Sequence, residues 1–222
     1  MSVDSVYDTE AFAYDSRYKM PVHAVEDMVV EAAIRSIYEP GMSVLDVGCG
    51  TGHAIKMIDF PVEDYTGIDP SKSMLSVAVQ RHPKHVFEKV SFEGHVCTSM
   101  YDVVLAIYGQ VNYMGLDSFV QNISRLCRGE FLAILYSGVA NPDCEYTVNY
   151  QKIYSPKQIR DAFAGSGIPV EVRGFSVTST QPFSTVIDML AFHSSAVAVV
   201  EDSSAAKRFK YLIVSGGRRA GA

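Results

Sequence analysis

The chain has 222 residues, 48% of them hydrophobic, with four cysteines and a formal net charge of −6. That length suits one sizeable α/β domain, read as a single domain over residues 1–222, and is too short for two full ones. The acidic balance, with no Lys/Arg cluster before Arg218-Arg219, disfavours nucleic acid as a partner, since backbone binding wants a basic face. Cys49, Cys97, Cys127 and Cys144 are scattered with no C-x-x-C, which argues against a disulfide framework or zinc site and suits a reducing cytoplasm. No apolar stretch reaches membrane-spanning length, and Met1-Ser2-Val3-Asp4 lacks the opening of a signal peptide. The expectation is a cytoplasmic chain with no membrane partner.

Strands and helices alternate along the sequence, which implies a mostly parallel sheet covered on both faces. A helical stripe over His23 to Tyr38 (Val25, Met28, Val29, Ala32, Ala33, Ile37) is stopped by Pro40-Gly41. Ser43 to Val47 reads as strand one, and Thr51 to Ile58 as the helix after it. Strand two spans Tyr65 to Asp69, and Pro70-Ser71 leads into a helix from Lys72 to about Arg81. A weaker third strand lies within Val86 to Phe92, and Asp102 to Ile107 is a clear fourth. Asp117 is read as the cap of a helix through Phe119, Ile123 and Leu126, and Glu130 to Tyr136 as strand five. Ser155-Pro156-Lys157-Gln158 has the form of a helix start, with Pro in the first turn and Gln three residues after the Ser cap. Strand six is Val170 to Val177. A segment holding one further helix follows, and strand seven is Phe209 to Val214.

The most informative string is Val44-Leu45-Asp46-Val47-Gly48-Cys49-Gly50-Thr51-Gly52. A buried strand runs into three alternate glycines, where a ligand can approach the backbone without meeting a Cβ. Strand, glycine turn and helix outline a nucleotide-type pocket at the carboxyl end of a sheet strand. The spacing G-x-G-x-G differs from the G-x-G-x-x-G of dinucleotide sites, with His53 where the third glycine would stand. Asp46, two residues before the turn, is a poor neighbour for a pyrophosphate but suits a cationic ligand. A dehydrogenase is therefore only the residual alternative.

The string D-x-G-x-G-x-G resembles the first motif of the class I S-adenosylmethionine-dependent methyltransferases. Tyr65 to Ser71 is similar to the family's second strand, and Asp69 lies 23 residues after Asp46. Tyr101 to Ala106 and Tyr154 to Ile159 resemble its fourth strand and fifth helix, so the likeness covers about residues 25 to 215. It implies a doubly wound, Rossmann-like α/β/α fold in three layers. The sheet would have seven mostly parallel strands, with an antiparallel strand seven inserted between strands five and six. It also implies S-adenosyl-L-methionine as cofactor. Gly48 and Gly50, with Cys49 and Gly52, would take the methionine end, with Asp46 toward its ammonium. Asp69 would accept both ribose hydroxyls. Pro70 and Met74 would lie by the adenine, with Phe92 or Glu93 as the candidate after strand three.

The loop Tyr108-Gly109-Gln110-Val111-Asn112-Tyr113 should face the methyl group. It lacks the Asn/Asp-Pro-Pro-aromatic tetrad of amino-methylating nucleic-acid enzymes, and Asn112 has no adjacent acid to complete a metal set, so no metal is expected. Tyr108 counts as a cofactor contact and, with Tyr113 and His193, as a candidate for catalysis. Asn112 and Tyr113 are candidate substrate contacts. Residues 1–20, carrying Tyr14 and Tyr18, resemble the lid of small-molecule methyltransferases, and 178–206 reads as an insertion near the substrate. The expected reaction is methyl transfer to an oxygen or nitrogen of a small-molecule metabolite or natural product. The alternatives are a protein or nucleic-acid methyltransferase working through a partner, and an inactive cofactor-binding regulatory module.

Overall fold

Val44–Val47 (β1) is buried at all four positions, as a strand with helices over both faces of its sheet must be. The computed structural model describes residues 11, 21–108, 110–137, 152–175, 197–199 and 209–218. It places β1 inside a sheet with Tyr65–Ile68 (β2), Val86–Glu88 (β3), Tyr101–Ala106 (β4), Cys127–Tyr136 (β5), Val170–Phe175 (β6), Val197–Val199 (β7) and Tyr211–Gly217 (β8). Their order is β3-β2-β1-β4-β5-β8-β6-β7. The strands from β3 across to β5 pair in parallel, while β8 runs antiparallel between β5 and β6. The antiparallel strand thus lies inside the sheet. Seven strands match the sequence reading, and an eighth, β7, adds an antiparallel edge to β6.

Among the described residues the helices are Pro21–Arg35 (α1), His53–Ile58 (α2), Lys72–Arg81 (α3), Gln110–Met114 (α4), Leu116–Leu126 (α5) and Pro156–Ala164 (α6). Alternate strand residues feed two separate cores. Leu45, Val104 and Phe131 pack with Phe119 of α5 and Phe163 of α6. Val44, Val103 and Leu132 pack with Val30 and Ile34 of α1 and Ile55 of α2. Period-two alternation in the strands therefore creates the three layers.

Local boundaries follow local chemistry. Ser155 and Gln158 make the expected reciprocal capping box at α6. Asp117, expected as the cap of α5, instead lies in its first turn. The cap position is Gly115, at φ 103° and without a side-chain bond, and a carboxylate in the first turn still complements the helix dipole. The first helix stops at Arg35, and Tyr38 turns its hydroxyl to the Asp64 carboxylate at 2.8 Å. Strand five begins at Cys127, three residues before Glu130, because Tyr101 of β4 already pairs with Cys127. At that edge Arg128 grips Asp102 with two bonds of 2.7 Å, and these bonds hold the Asp102 carboxyl well below the usual carboxylate range.

The chain moves outward from β1 to β2 and β3, then returns to β1's other side with β4. That reversal leaves a crevice at the carboxyl ends of β1 and β4. Phe119, 1% exposed, touches the Phe92, Phe131 and Phe163 rings at centroid distances of 6.1, 5.7 and 6.3 Å. Phe119→Ala should cost about 3–5 kcal/mol of folding stability, read as a lower urea midpoint at unchanged slope.

Candidate active site

Both N–H groups that open the turn after β1 donate to one oxygen. The Ile68 carbonyl accepts from Gly48 at 2.8 Å and from Cys49 at 3.0 Å. The turn is thereby strapped to the end of β2, where Asp69 stands. Gly48 sits at φ 66°, and a Cβ there would overlap the Gln110 side chain of α4. Gly50 sits at φ 53°, with nothing within 4 Å of where its Cβ would be. One glycine thus allows close packing and the other leaves the open face.

That face belongs to a cavity of about 320 Å³. On the β2 side it is lined by Asp69, Pro70, Met74 and Phe92. Asp69 is 7% exposed. Its Oδ2 accepts from the Gly50 N–H at 3.0 Å and its Oδ1 from the Ser71 N–H at 2.8 Å. A carboxylate oxygen can accept more than one hydrogen bond, so Asp69, fixed to the turn, is placed to meet a diol in the cavity. Ser71 caps α3 through Met74 N–H at 3.2 Å, which fixes the start of the helix that carries Met74. Cys49 also lines the cavity, and burial, aided by the charges of Asp46 and Asp69, pushes its thiol pKa well up.

On the β4 side the wall is made by His23, Glu26 and Asp27 of α1, with His53, Tyr108, Gln110 and Tyr113. Asp27 Oδ1 accepts the Tyr108 hydroxyl at 2.6 Å and bonds His53 Nε2 at 2.8 Å. Glu26 meets Lys210 Nζ at 2.8 Å. Burial raises the Glu26 carboxyl pKa despite that cation.

The remaining sequence candidates fall elsewhere. Asp46 does not line the cavity. It is fully buried behind the turn, with Oδ2 accepting from the Tyr65 hydroxyl at 2.6 Å and Oδ1 without a hydrogen-bond partner. Burial raises its pKa to about 6, with the Tyr65 bond opposing and the charge of Asp69 adding to the rise. Gly52 faces away too: at the N-cap of α2, its Cβ would stand 2.8 Å from the His82 ring. Asn112 is buried and occupied, with its amide bonded to the backbone of Tyr136 and Lys152. It therefore fastens α4 to the end of β5 instead of reaching the cavity. Tyr14, Tyr18 and His193 lie outside the described residues. Among the described residues no group of three or more His, Cys, Asp or Glu is arranged to hold a metal, and no helix is long and apolar enough to cross a membrane.

The apolar stripe of α1 predicts the helix but does not point to His23, Glu26 and Asp27. Positions 23, 26 and 27 are spaced i, i+3, i+4, one helical face, and that polar face was the available signal. Gln110 and Glu93, to which the sequence assigns no firm role, also line the cavity.

Residues 44–130 match the family model described as a methyltransferase domain. The chain spans about half the length of the curated relatives it matches. An uncharacterized protein of Methanocaldococcus jannaschii is 27% identical over 139 residues, 60% of this chain and 51% of that one. The uncharacterized methyltransferase YcgJ of Bacillus subtilis is 23% identical over 128 residues, 54% and 51% of the two chains. A Thermotoga maritima S-adenosylmethionine-dependent methyltransferase, described as a possible histamine N-methyltransferase, superposes with TM-score 0.68 at 14% identity, covering 96% of this chain and 98% of that one. Magnesium protoporphyrin IX methyltransferase of Synechocystis, solved with bound S-adenosylhomocysteine, gives TM-score 0.66 at 12% identity, over 97% and 98%. The chain therefore has the fold of the class I S-adenosylmethionine-dependent methyltransferases, and its residues 44–130 match the methyltransferase-domain model.

Proposed function

We propose that the chain binds S-adenosylmethionine in the cavity at the glycine turn and transfers its methyl group to an oxygen or nitrogen of a small molecule. The observation that carries this reading is the Asp69 carboxylate, bonded to Gly50 N–H at 3.0 Å on the rim of a Cβ-free turn. The residues present fit the cofactor. Asp69 offers acceptors for a ribose diol, Met74 and Phe92 offer an apolar bed for adenine, and Gly50 leaves space against the backbone. Asp46 Oδ1, a buried acceptor with no partner behind the turn, suits a cation held in the cavity, acting through its field and not by contact.

The sulfonium supplies an already activated methyl carbon, so the chain's work is alignment and exclusion of water. Tyr108 and Tyr113 wall the β4 side, where the acceptor must enter beside the methyl group. A cavity of about 320 Å³ is on the scale of small-ligand sites, about 300–1,000 Å³. Residues 1–20 are read as a lid over it. Ala11, the described residue of that stretch, is buried against Met74 and Val77 of α3.

The reading is tested by incubating the protein with methyl-labelled cofactor and a small-molecule extract. Label should pass to a product that survives protease and nuclease. Label lost to either treatment would move the acceptor to a macromolecule, and no transfer from a bound cofactor would leave a regulatory module. Asp69→Ala should weaken S-adenosylmethionine binding tenfold or more by calorimetry, and unchanged affinity would remove the ribose assignment.

Asp46 adds a pH signature. Its folded pKa of about 6 stands above the ordinary carboxylate value of about 3.9, so the apo protein holds it protonated below pH 6. A bound cation favours the ionised form, so binding near pH 6 expels a proton and affinity rises from pH 5 to pH 7. Asp46→Asn, which keeps an acceptor for Tyr65, should flatten that rise. A wild-type affinity independent of pH over this window would contradict the assignment.

A further inference from the structure

Tyr108 has φ 57°, in the left-handed region, although a bulky aromatic side chain adopts that conformation only when its surroundings impose it. The residue is the second after β4 and its ring lines the cavity. Its hydroxyl donates to Asp27 Oδ1 at 2.6 Å, and the same oxygen receives His53 Nε2 at 2.8 Å. His53 is the first residue of α2, directly after the glycine turn, and its ring lies 5.9 Å from that of Tyr108. Three segments with no shared sheet ladder therefore converge on one oxygen: α1, the helix after the turn, and the chain leaving β4. The hydrogen bonds from His53 and Tyr108 outweigh burial and leave the Asp27 carboxyl below its ordinary pKa, so it is a charged acceptor. Charge-assisted bonds of this kind are short and directional.

The helix that carries Asp27 is anchored independently next door. Glu26 accepts from Lys210 Nζ at 2.8 Å and from the Tyr211 hydroxyl at 3.4 Å, and both partners lie at the start of β8. Asp27 is thus presented by a helix already fixed to the sheet and acts as a post for the two segments beside it, the start of α2 and the chain leaving β4. Asp69 serves the other side of β1, after β2. The Asp27 oxygen stands on the β4 side, where the part of the ligand beyond the ribose must lie.

We propose that Asp27 is a positioning residue: it holds Tyr108 in its left-handed conformation and His53 at the turn, and so builds the wall against which the amino-acid end of the cofactor is placed. This rests on the S-adenosylmethionine reading above, and the test separates the two. Wild type, Asp27→Ala, Asp27→Asn, Tyr108→Phe and the Asp27→Ala/Tyr108→Phe double variant are titrated calorimetrically with two probes. One is S-adenosylhomocysteine. The other is 5′-methylthioadenosine, which keeps the adenosine and sulfur but lacks the amino-acid end. Asp27→Ala should weaken S-adenosylhomocysteine at least tenfold and 5′-methylthioadenosine less than twofold. Asp27→Asn, which retains an oxygen acceptor, should stay within threefold of wild type for both. The double variant should bind S-adenosylhomocysteine no more than threefold worse than Asp27→Ala, because both changes break one shared bond. Unchanged S-adenosylhomocysteine affinity in Asp27→Ala overturns the proposal. Equal weakening of both probes overturns it too, since that is what general loosening of the fold would give. If the wild type binds neither probe, the cofactor reading fails and takes this inference with it; if the wild type binds both and only the Asp27 pattern is absent, the cofactor reading stands alone.

Discussion

The whole site depends on one small tie: the end of β2 is bonded to the turn after β1. Ile68 contributes a carbonyl to two N–H groups of the turn, and Asp69 answers with a carboxylate on Gly50 and Ser71. Parallel pairing of β1 with β2 in the register Val47 to Ile68 brings these groups level. A slip of one residue would turn Asp69 to the other face of the sheet and leave the turn unsupported. Register is in turn set by burial, because every residue of β1 and three of the four in β2 are buried. The hydrophobic core thus determines where a carboxylate meets a glycine.

The other wall is built on a different principle. Where β2 supplies its acid from the sheet, the β4 side draws acids from α1, a helix that precedes the sheet in sequence. Val29, Val30 and Ile34 of α1 are buried against the sheet, and that packing turns His23, Glu26 and Asp27 toward the crevice. The two carboxylates are each given partners, Lys210 and Tyr211 for Glu26, His53 and Tyr108 for Asp27. A buried charge such as Glu26 is tolerated only on those terms, and the half-buried Asp27 is paired in the same way. A single amphipathic helix therefore does two jobs, core on one face and cavity wall on the other.

These two principles explain what could be read from the amino acids alone. β1, β2, β4 and α3 have clear punctuation, and Gly48, Gly50 and Asp69 occur in strings whose spacing encodes a turn between adjacent parallel strands. The position of β8 between β5 and β6 was legible only through the family likeness, because no local pattern in Tyr211 to Gly217 says which neighbours it will choose. The extra strand Val197–Val199 is three residues long, too short for alternation to show. Asn112 reads as a ligand contact in the sequence because it is a polar residue in a loop beyond a strand. Its three bonds to the backbone of Tyr136 and Lys152 are long-range and leave no mark in nearby sequence. Asp27 is marked in the sequence only as part of the polar face of α1, and its partners His53 and Tyr108 lie 26 and 81 residues away.

Asp46 shows how such a site differs from a core. Its Oδ2 has the Tyr65 hydroxyl at 2.6 Å, but Oδ1 is buried without a partner. In a purely structural position that arrangement would be selected against, because an unsatisfied buried acceptor costs roughly 1–3 kcal/mol, and asparagine or an apolar residue would fill the strand at lower cost. With Asp69 close enough to raise its pKa further, the pair concentrates negative potential at the base of the turn. Such a field destabilises the empty protein and is relieved by positive charge arriving in the cavity. Under the proposed function, the same residue that weakens the fold in isolation would add to the driving force for binding a cation. Local rules of good packing are broken here at a place where a ligand can restore them.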